Sequence, residues 1–415
     1  MKIILLQDDF PPYAKGGAGI VAASFAHELV KHGHDLTVIT AVQDRAQVGS
    51  FKESGIRIER IYSDYQQRWR SWLSLYNPAT VPQIRRIFTE VKPDIVHAHN
   101  VHYHLSYWAL RLAKKSGARV FLTAHDVMLF HYGKLTEFID TLHPECKKEW
   151  NYKISPLQQV RTYRFWYNPF RNIIIRYLLK NVDRIFAVSA ELKKALEQNG
   201  IKNIEVLHNG IDIFAWRVLP EEVRLFVEKY HLKDKKVILF GGRISAAKGG
   251  DVMLAALREI VRTEPNAVLL LLGARNAYVE RLLQRAEEWK IDENIVSTGW
   301  ISGVELRSAY HAVDIVAVLS KYLDPLPTVV LEAMACSKPV IGSCFGGIPE
   351  MITQNETGYI VNPYDENMIV QQMTRIFNNK KEQIRFGTQA RTVIEERFSI
   401  SVWYKNTIAA YSKIL

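Results

Sequence analysis

Two acidic side chains in the carboxyl-terminal third of the chain, Asp324 and Glu332, are separated by seven residues. A proline-rich turn ends at Pro327, and Thr328 after it can cap a helix that runs through Glu332. The free N–H groups at such a helix start, including that of Val329, attract phosphate because the helix dipole is positive there. A carboxylate one turn further on can accept hydrogen bonds from sugar hydroxyls. The pattern therefore predicts a nucleotide clamp, with amides for a diphosphate and acids for sugar hydroxyls.

A glycine-rich loop with two cations follows a predicted strand that ends at Phe240. Its sequence is Gly-Gly-Arg-Ile-Ser-Ala-Ala-Lys, so that Arg243 precedes Lys248 by five residues. A guanidinium offers a planar fork and an ammonium a point charge, and both suit a diphosphate. The alternative is two solvated surface cations. Because the chain contains no D-x-D triplet, a metal-dependent diphosphate clamp has no candidate ligands, and we expect these cations to take the place of the metal.

Two further sites of chemical interest lie in the first half of the chain. A loop from Phe10 to Gly19 contains Pro-Pro and Gly-Gly, and its glycines, among them Gly17, allow backbone to approach a ligand closely at a helix start. The alternative is a plain tight turn. His125 directly follows a predicted strand and precedes Asp126, which could orient its ring. The alternative for this imidazole is a structural role in the core.

Four more histidines occur close together, and they raise the question of a metal site. They are His97, His99, His102 and His104. The His-Ala-His pattern on a strand places the first two on one face. No carboxylate nearby in sequence completes a ligand set, so we expect no metal.

Together these motifs resemble those of the retaining glycosyltransferases of family 4, which have the GT-B fold. That family has an acid, seven residues and a glutamate, followed here by the strand 339–341 and by Gly-Gly-Ile-Pro-Glu at 346–350. The Pro-Pro and Gly-Gly loop, the His-Asp motif and the Arg and Lys pair occur in the family order. One departure is Asp324, which stands where the family usually has Glu, and others are Pro327 and Ser337, which stand where small residues are common.

The resemblance implies roles for individual residues. It implies that His125, Asp324 and Glu332 are catalytic and contact the donor sugar or its ribose. It further implies a donor diphosphate site made of Gly17, Arg243, Lys248, Thr328 and Val329. The donor would be a UDP- or GDP-sugar of the hexosyl type, with no cofactor and no metal.

The elements that must position these residues are buried strands that alternate with helical patterns, which indicates parallel sheets covered on both faces. The alternation restarts after an Asn-Gly-Ile-Asp turn at 209–212. We therefore predict an α/β protein with two doubly wound Rossmann-like domains that face each other across a cleft, the GT-B arrangement. The predicted domains are an acceptor-binding domain at 1–208 and a nucleotide-sugar-binding domain at 213–395. The resemblance implies that a terminal helix at 396–415 crosses back to the first domain.

The overall composition is that of a folded protein without a membrane span. The chain has 415 residues, 48% of them hydrophobic, and a formal net charge of +11. No run of about 18 apolar residues occurs, and the start lacks a signal-peptide pattern, so we expect a cytoplasmic location. The chain has three cysteines, which we expect to be reduced.

A basic aromatic segment, residues 150–182, contains no acidic residue and six basic ones. Aromatic and cationic side chains mixed in this way suit an anionic membrane surface, with Arg164, Trp166, Arg171 and Arg176 as the expected contacts. The alternatives are a helix pair packed on the first domain with solvated cations, or a polyanion such as nucleic acid. We favour a peripheral location on the cytosolic face of a membrane and expect no nucleic acid.

The predicted function is that of a retaining, metal-independent glycosyltransferase. It would move a sugar from a nucleotide-diphospho-sugar to a hydroxyl of a saccharide or lipid-linked acceptor, in polysaccharide or glycolipid biosynthesis of the cell envelope. A nucleotide-sugar epimerase or hydrolase of the same fold is one alternative. A non-catalytic protein that binds nucleotide sugars or nucleic acid is the other. The base, the sugar and the acceptor stay open.

Overall fold

The structure is a computed structural model that describes residues 1–14, 16–147 and 149–414. The chain divides into two units, and each contains one sheet. The first unit comprises 1–138, 151–210 and 400–415, and the second comprises 139–150 and 211–399.

The sheet of the first unit has eight strands in the order β3-β4-β2-β1-β5-β6-β7-β8. These strands are β1 (Lys2–Leu6), β2 (Asp35–Val42), β3 (Gly49–Glu53), β4 (Ile56–Tyr62), β5 (Ile95–Ala98), β6 (Arg119–Ala124), β7 (Arg184–Ala187) and β8 (Ile204–Val206). All neighbours pair in parallel except β3 and β4, which form an antiparallel pair at one edge. The central strands are apolar on both faces because helices cover both sides.

Helices connect these strands and bury their apolar sides against the sheet. They are α1 (Gly17–Lys31), α2 (Arg70–Leu73), α3 (Val81–Val91), α4 (Trp108–Lys115), α5 (Pro156–Tyr163), α6 (Arg171–Leu179) and α7 (Ala190–Gln198). The core of this unit includes β1 and α1 side chains such as Leu5 and Phe25, neither of which has exposed surface.

The sheet of the second unit has six parallel strands in the order β11-β10-β9-β12-β13-β14. They are β9 (Lys236–Gly241), β10 (Ala267–Leu272), β11 (Ile295–Gly299), β12 (Ile315–Val318), β13 (Val340–Ser343) and β14 (Gly358–Val361). The order changes direction between β9 and β12, which is the topological switch point where sheets of this kind bind ligands at the strands' carboxyl ends.

Helices again fill the connections of the second unit. They are α8 (Pro220–Lys229), α9 (Gly250–Thr263), α10 (Ala277–Glu288), α11 (Gly303–Ala312), α12 (Thr328–Ala335), α13 (Ile348–Met351), α14 (Glu366–Asn378) and α15 (Lys380–Arg397). The last helix, α16 (Ile400–Ser412), belongs to the first unit, where Trp403 stacks on Phe25 with ring centroids 4.5 Å apart. Within the described residues, none of the helices combines the length and apolar character needed to cross a bilayer.

The alternation of strands and helices predicted from the sequence is confirmed. Three short strands were missed, namely β3, β8 and β14. The β3 strand pairs on one side only and is largely exposed, so it lacks the apolar run by which a buried strand is recognised.

Residues 139–150 form a short arm that belongs to the second unit, although the sequence-based division placed them in the first domain. Cys146 of the arm forms a disulfide with Cys344, and the Asn362 side chain donates a hydrogen bond to the Pro144 carbonyl at 2.7 Å. The prediction of three reduced thiols is therefore wrong for two of them, while Cys336 is free and buried. The partners are 198 residues apart, and only the fold brings them together.

Candidate functional site

A buried ion pair lies at the carboxyl ends of β9 and β12. The Lys248 Nζ and Asp324 Oδ2 atoms are 2.6 Å apart, and the Ser320 hydroxyl donates to the same oxygen at 2.6 Å. Burial opposes ionisation of Asp324, but Lys248 and the hydrogen bonds from Lys248, Ser320 and Tyr322 outweigh it and lower its pKa. Burial likewise disfavours the charged amine, yet the Asp324 carboxylate raises the pKa of Lys248. Both groups are therefore charged at neutral pH.

The turn that holds Asp324 packs directly on the backbone of the loop after β13. Gly346 has a φ of +72°, and a Cβ at this position would lie 2.3 Å from the Asp324 carbonyl oxygen. The Gly347 N–H donates to that oxygen at 2.9 Å. On the other side, a Cβ on Gly249 would meet the Leu319 carbonyl oxygen at 2.3 Å. Glycine is required at both positions because only backbone without a side chain can approach so closely.

The helix that follows the turn, α12, begins at Thr328 with Pro327 as the N-cap residue. The prediction that Thr328 caps this helix is wrong by one residue, because the proline already has the extended backbone that a cap requires. Glu332 lies one turn into the helix and accepts a hydrogen bond from the Tyr310 hydroxyl. Burial raises the pKa of Glu332, while hydrogen bonds from Tyr310 and Thr328 act against the rise.

Arg243 is exposed in the loop after β9, in contrast to Lys248, which is partly buried and paired. The neighbouring Gly242 has a φ of +97°, and a Cβ there would lie 3.8 Å from the Val329 side chain of α12. The glycine-rich loop and the start of α12 are therefore close neighbours. The second unit thus brings together Arg243, Lys248, Asp324, Thr328, Val329 and Glu332, all six of its predicted site residues.

The other predicted site residues lie in the first unit. Gly17 is the first residue of α1 and is exposed. His125 follows β6 and is half-buried. Its Nε2 atom is 2.8 Å from Nδ1 of His99, so that one of these nitrogens donates to the other. On the other side of the ring, Nδ1 is 3.5 Å from the Asn209 side-chain amide.

The two contacts of His125 differ in strength. The bond to His99 is short, whereas 3.5 Å is the outer limit of a hydrogen bond. In the same amide, Asn209 Oδ1 is buried without a hydrogen-bond partner among the described residues. A rotated amide would place this oxygen toward Nδ1 of the imidazole, which would then donate. His99 therefore holds the ring, and Nδ1 is the nitrogen through which His125 can exchange one partner for another.

Several imidazoles of this region are uncharged at neutral pH, and three of them are fully or almost fully buried. Burial is the main cause that lowers the pKa of His97 to about 3 and those of His102 and His125 to about 4, and it lowers the pKa of His99 well below 6.5. His97 has a structural role in the core, where its Nδ1 atom lies 2.6 Å from the Tyr411 hydroxyl. The described residues contain no group of three or more His, Cys, Asp or Glu side chains arranged to hold a metal ion.

Sequence reasoning missed the residues that orient the predicted ones. Tyr310 and Ser320 were not singled out, although each binds a predicted carboxylate. His99 was considered only as a metal ligand, and its role as the partner of His125 was not anticipated. The periodicity of the chain holds no signal for such partners, because they come from neighbouring strands and helices.

Three of the four predicted membrane contacts lie at the surface, and the fourth does not. Arg164, Trp166 and Arg176 are exposed. Arg171 has no exposed surface, since its guanidinium points inward and donates to the Met128 carbonyl at 2.5 Å. The prediction that Arg171 touches a membrane is therefore wrong. An arginine at the first position of a helix is ordinarily exposed to solvent, and the sequence-based prediction followed this rule. In the folded unit, packing of α6 places the Arg171 side chain in the core.

The two α/β units define the GT-B class of fold. Two family models match the chain, Glycosyltransferase Family 4 over residues 15–213 and Glycosyl transferases group 1 over residues 224–393. The two models together span most of the chain, which is a glycosyltransferase similar to those of family 4. The resemblance inferred from its motifs is thereby confirmed, as is the fold.

Individual relatives agree with this assignment. A putative glycosyltransferase, YtcC of Bacillus subtilis, is 27% identical, over 57% of this chain and 62% of its own length. The GDP-mannose-dependent alpha-(1-6)-phosphatidylinositol monomannoside mannosyltransferase of Mycolicibacterium smegmatis is 24% identical over 94% of this chain and 92% of its own. Among solved structures, Anabaena HepE in complex with UDP superposes with a TM-score of 0.73 at 18% identity, and all of both chains is covered.

The buried neutral imidazoles should make the protein unstable toward acid. Between pH 6.5 and their lowered native pKa values, the unfolded chain binds protons that the native state does not. As the pH is lowered through this range, the free energy of unfolding should therefore decrease by up to about 1.4 kcal/mol per pH unit for each imidazole. Burial raises the native pKa of Asp8 to about 7, so that this carboxyl group stabilises the native state as the pH is lowered. Its contribution offsets that of only one imidazole. Urea unfolding from pH 7 to 4.5 measures the slope.

The share of one imidazole can be isolated in the same experiment. His97→Gln should flatten the slope by close to one proton, because glutamine does not titrate. The exposed His27→Gln is the control and should leave the slope unchanged. Equal slopes in the wild type and His97→Gln would show that the buried ring is not the titrating group.

His99 should position His125 rather than merely fill space. His99→Phe keeps a flat ring of similar size but removes the nitrogen that bonds His125. We expect turnover to fall by about tenfold to a hundredfold because the ring is no longer held, with nucleotide affinity unchanged. Nitrogen-15 NMR of the His125 ring should report a changed tautomer. The same tautomer and full turnover in His99→Phe would leave His99 a packing residue only.

Proposed function

We propose that this glycosyltransferase transfers a hexose from a nucleotide-diphospho-sugar with retention of configuration and without a metal ion. The observation that carries the proposal is the cluster at the switch point of the second sheet, in which Lys248, Asp324 and Glu332 gather around the start of α12. Such a helix start, with an exposed guanidinium nearby, suits a diphosphate. UDP in HepE and GDP-mannose in the name of the mycobacterial relative support a donor of this class.

Within this proposal, the cations bind the leaving group. The exposed Arg243 is free to fold over the diphosphate, and its fork can bind two phosphate oxygens. The Lys248 ammonium already donates to Asp324, and as a group with three N–H donors it can bridge this carboxylate and a phosphate oxygen. The positive charges stabilise the negative charge that develops as the diphosphate departs.

The acids and the histidine would act on the sugars. Glu332, which accepts from Tyr310, would also accept from a ribose hydroxyl of the donor. Asp324 would accept from a hydroxyl of the transferred sugar, and His125 would contact the same sugar through Nδ1 or its backbone carbonyl. A neutral imidazole fits this role, because burial lowers its pKa to about 4 and it can either accept or donate at neutral pH.

The chemical step then needs no general base from the protein. The acceptor oxygen attacks the anomeric carbon on the face from which the diphosphate leaves, and the carbon–oxygen bond to phosphate breaks as the glycosidic bond forms. The proton of the acceptor hydroxyl passes to an oxygen of the departing β-phosphate. A thermal-shift screen with UDP-, GDP- and ADP-sugars tests the donor class, because binding to the native state raises Tm.

Arg243→Ala gives the sharpest test of the diphosphate site. Loss of its charge-assisted hydrogen bonds should cost about 1.5–3 kcal/mol of affinity for the nucleoside diphosphate, measured by calorimetry. Lys248→Ala is less clean, since it also leaves Asp324 buried without its partner. The control is Arg262→Ala, an exposed arginine at the far end of α9. Unchanged affinity in Arg243→Ala removes this residue from the donor site.

We further propose that the acceptor is presented at an anionic membrane surface. The basic aromatic segment exposes large apolar side chains that a soluble surface rarely gathers, and 98% of Phe165 is accessible. The others are Leu157, Trp166, Phe170, Ile173 and Tyr177. Exposed cations lie among them, namely Lys153, Arg161, Arg164, Arg176 and Lys180. A lipid-linked saccharide or glycolipid precursor in cell-envelope synthesis is the acceptor class that this surface favours.

Vesicle binding should depend on charge at this segment. A cation near an anionic surface contributes about 1 kcal/mol, so the double variant Arg164→Glu and Arg176→Glu should bind anionic vesicles at least about 30-fold more weakly. Co-sedimentation at low and high salt measures this. The control reverses Arg85 and Arg86, two exposed arginines of α3, with the same change in net charge. Equal losses in both double variants would indicate net charge alone, and no preference for anionic lipid would favour a soluble acceptor.

A further inference from the structure

Two arginines of the first unit are buried beside each other without a carboxylate partner. Arg171 has no exposed surface and Arg70 retains 8%. Both contact Met128, Arg171 through its carbonyl oxygen at 2.5 Å and Arg70 through its sulfur at 3.5 Å. Both guanidinium carbons also lie over the ring of Tyr132, at 5.6 and 5.5 Å from its centroid. In the part of the chain that the structure describes, the hydrogen-bond acceptors of both guanidinium groups are uncharged.

The hydrogen bonds of the pair leave several donors unused. Arg70 donates through Nε to the His102 carbonyl at 3.4 Å and through Nη2 to the Met128 sulfur, and both are weak contacts. Its Nη1 has no hydrogen-bond partner among the described residues. Arg171 donates through Nη1 to the Asn172 side-chain oxygen at 3.2 Å and through Nη2 to the Met128 carbonyl, but its Nε is buried without a partner among the described residues. A guanidinium has five N–H donors, so this pair is far from satisfied.

The nearby carboxylates are committed elsewhere. Asp8 accepts three backbone N–H groups, from Tyr103, His104 and Leu105, at 2.7 to 2.8 Å. Asp126 accepts from the Met128 N–H at 2.8 Å and lies 3.5 Å from Nε2 of His102. Burying charge is costly unless the charge is paired, and two like charges in one place add repulsion. A third, negative group would relieve both costs.

We propose that Arg70, backed by Arg171, binds an anionic group of the acceptor substrate, a phosphate or a carboxylate. This inference rests on the proposed function, since an acceptor exists only for a transfer reaction. Arg70 is the direct ligand because it retains exposed surface and unused donors. Arg171 adds positive potential from within the core and fixes the loop at Met128. Stacking of Tyr103 on Arg70, with the guanidinium carbon 3.6 Å from the ring centroid, holds the fork in one plane.

The place of the pair in the unit agrees with this role. His102, whose carbonyl accepts from Arg70, lines a small cavity together with His125 and Asp126. An anion bound to Arg70 would therefore lie near the cavity that contains His125, the histidine that we assign to the transferred sugar. An acceptor that is fixed by its charged end would direct its hydroxyl toward that histidine.

The test measures the binding of simple anions to the full chain. Inorganic phosphate and malonate are titrated against chloride at equal ionic strength, with the nucleoside diphosphate present at saturation so that the donor site is occupied, and Tm is followed. We expect at least one of the two anions to raise Tm in the wild type, and the stronger one identifies the chemical group. Arg70→Gln should weaken that anion about tenfold or more, because it loses charge-assisted hydrogen bonds.

Controls make the result specific to this pair. Arg68→Gln removes an exposed arginine two positions away and should leave anion affinity unchanged. If Arg70→Gln does not fold, Arg70→Lys replaces it, with a several-fold loss of affinity expected because the fork is absent. Wild-type affinity in the variant tested, or no response of the wild type to either anion, would overturn the proposal.

The outcome also separates this inference from the proposed function. Nucleoside diphosphate binding is titrated independently and does not involve Arg70. Failure of that titration, with an Arg70-dependent response to phosphate or malonate, would refute the donor assignment and keep the anion site. Normal binding of the nucleoside diphosphate, without an Arg70-dependent response to phosphate or malonate, would refute the anion site and keep the donor assignment.

Discussion

The buried contact between Lys248 and Asp324 is the constraint on which the second unit's site depends. Moving two charges out of water costs several kcal/mol per ion, so the pair is stable only with short, well-aligned contacts. These contacts hold the loop after β9 against the turn before α12. Two glycines, Gly249 and Gly346, allow the backbones to approach closely enough for this. The strand order, the two glycines and the ion pair therefore all hold the loop after β9 against the turn before α12.

The buried polar and charged side chains of the first unit are satisfied differently from those of the second unit. Whereas the second unit pairs its buried charges internally, the first buries neutral imidazoles and two arginines that lack carboxylates. Neutral rings avoid the cost of burying charge, but they make the native state sensitive to acid. The arginines do not avoid that cost, which is why their burial indicates a ligand.

The helix α6 shows how one element serves two surroundings. Its inner side contributes Arg171, Ile175 and Leu178 to the core, while its outer side exposes Ile173 and Tyr177. A helix with apolar residues on both sides is ordinarily buried on both. Here the outer side is at the surface with cations around it, which is the composition expected at a lipid interface.

The sequence by itself determined the class of fold and most residues of the candidate site in the second unit. Parallel sheets follow from apolar strands that alternate with helices, and the acid pair, the glycine-rich loop and the His-Asp motif are local patterns whose spacing is visible along the chain. The structure gathers the six predicted residues of the second unit because loops after neighbouring parallel strands share one edge of a sheet. These features depend on short-range periodicity, which a single sequence displays.

Only the tertiary structure decided which side chains meet across strands. The Lys248–Asp324 pair, the His99–His125 contact, the Cys146–Cys344 disulfide and the inward position of Arg171 each join residues from separate segments or reverse a surface assignment. The edge strand β3 was missed for a related reason, since its pairing rather than its composition makes it a strand. Side-chain partners depend on register and packing over long separations, and neither leaves a periodic trace in the chain.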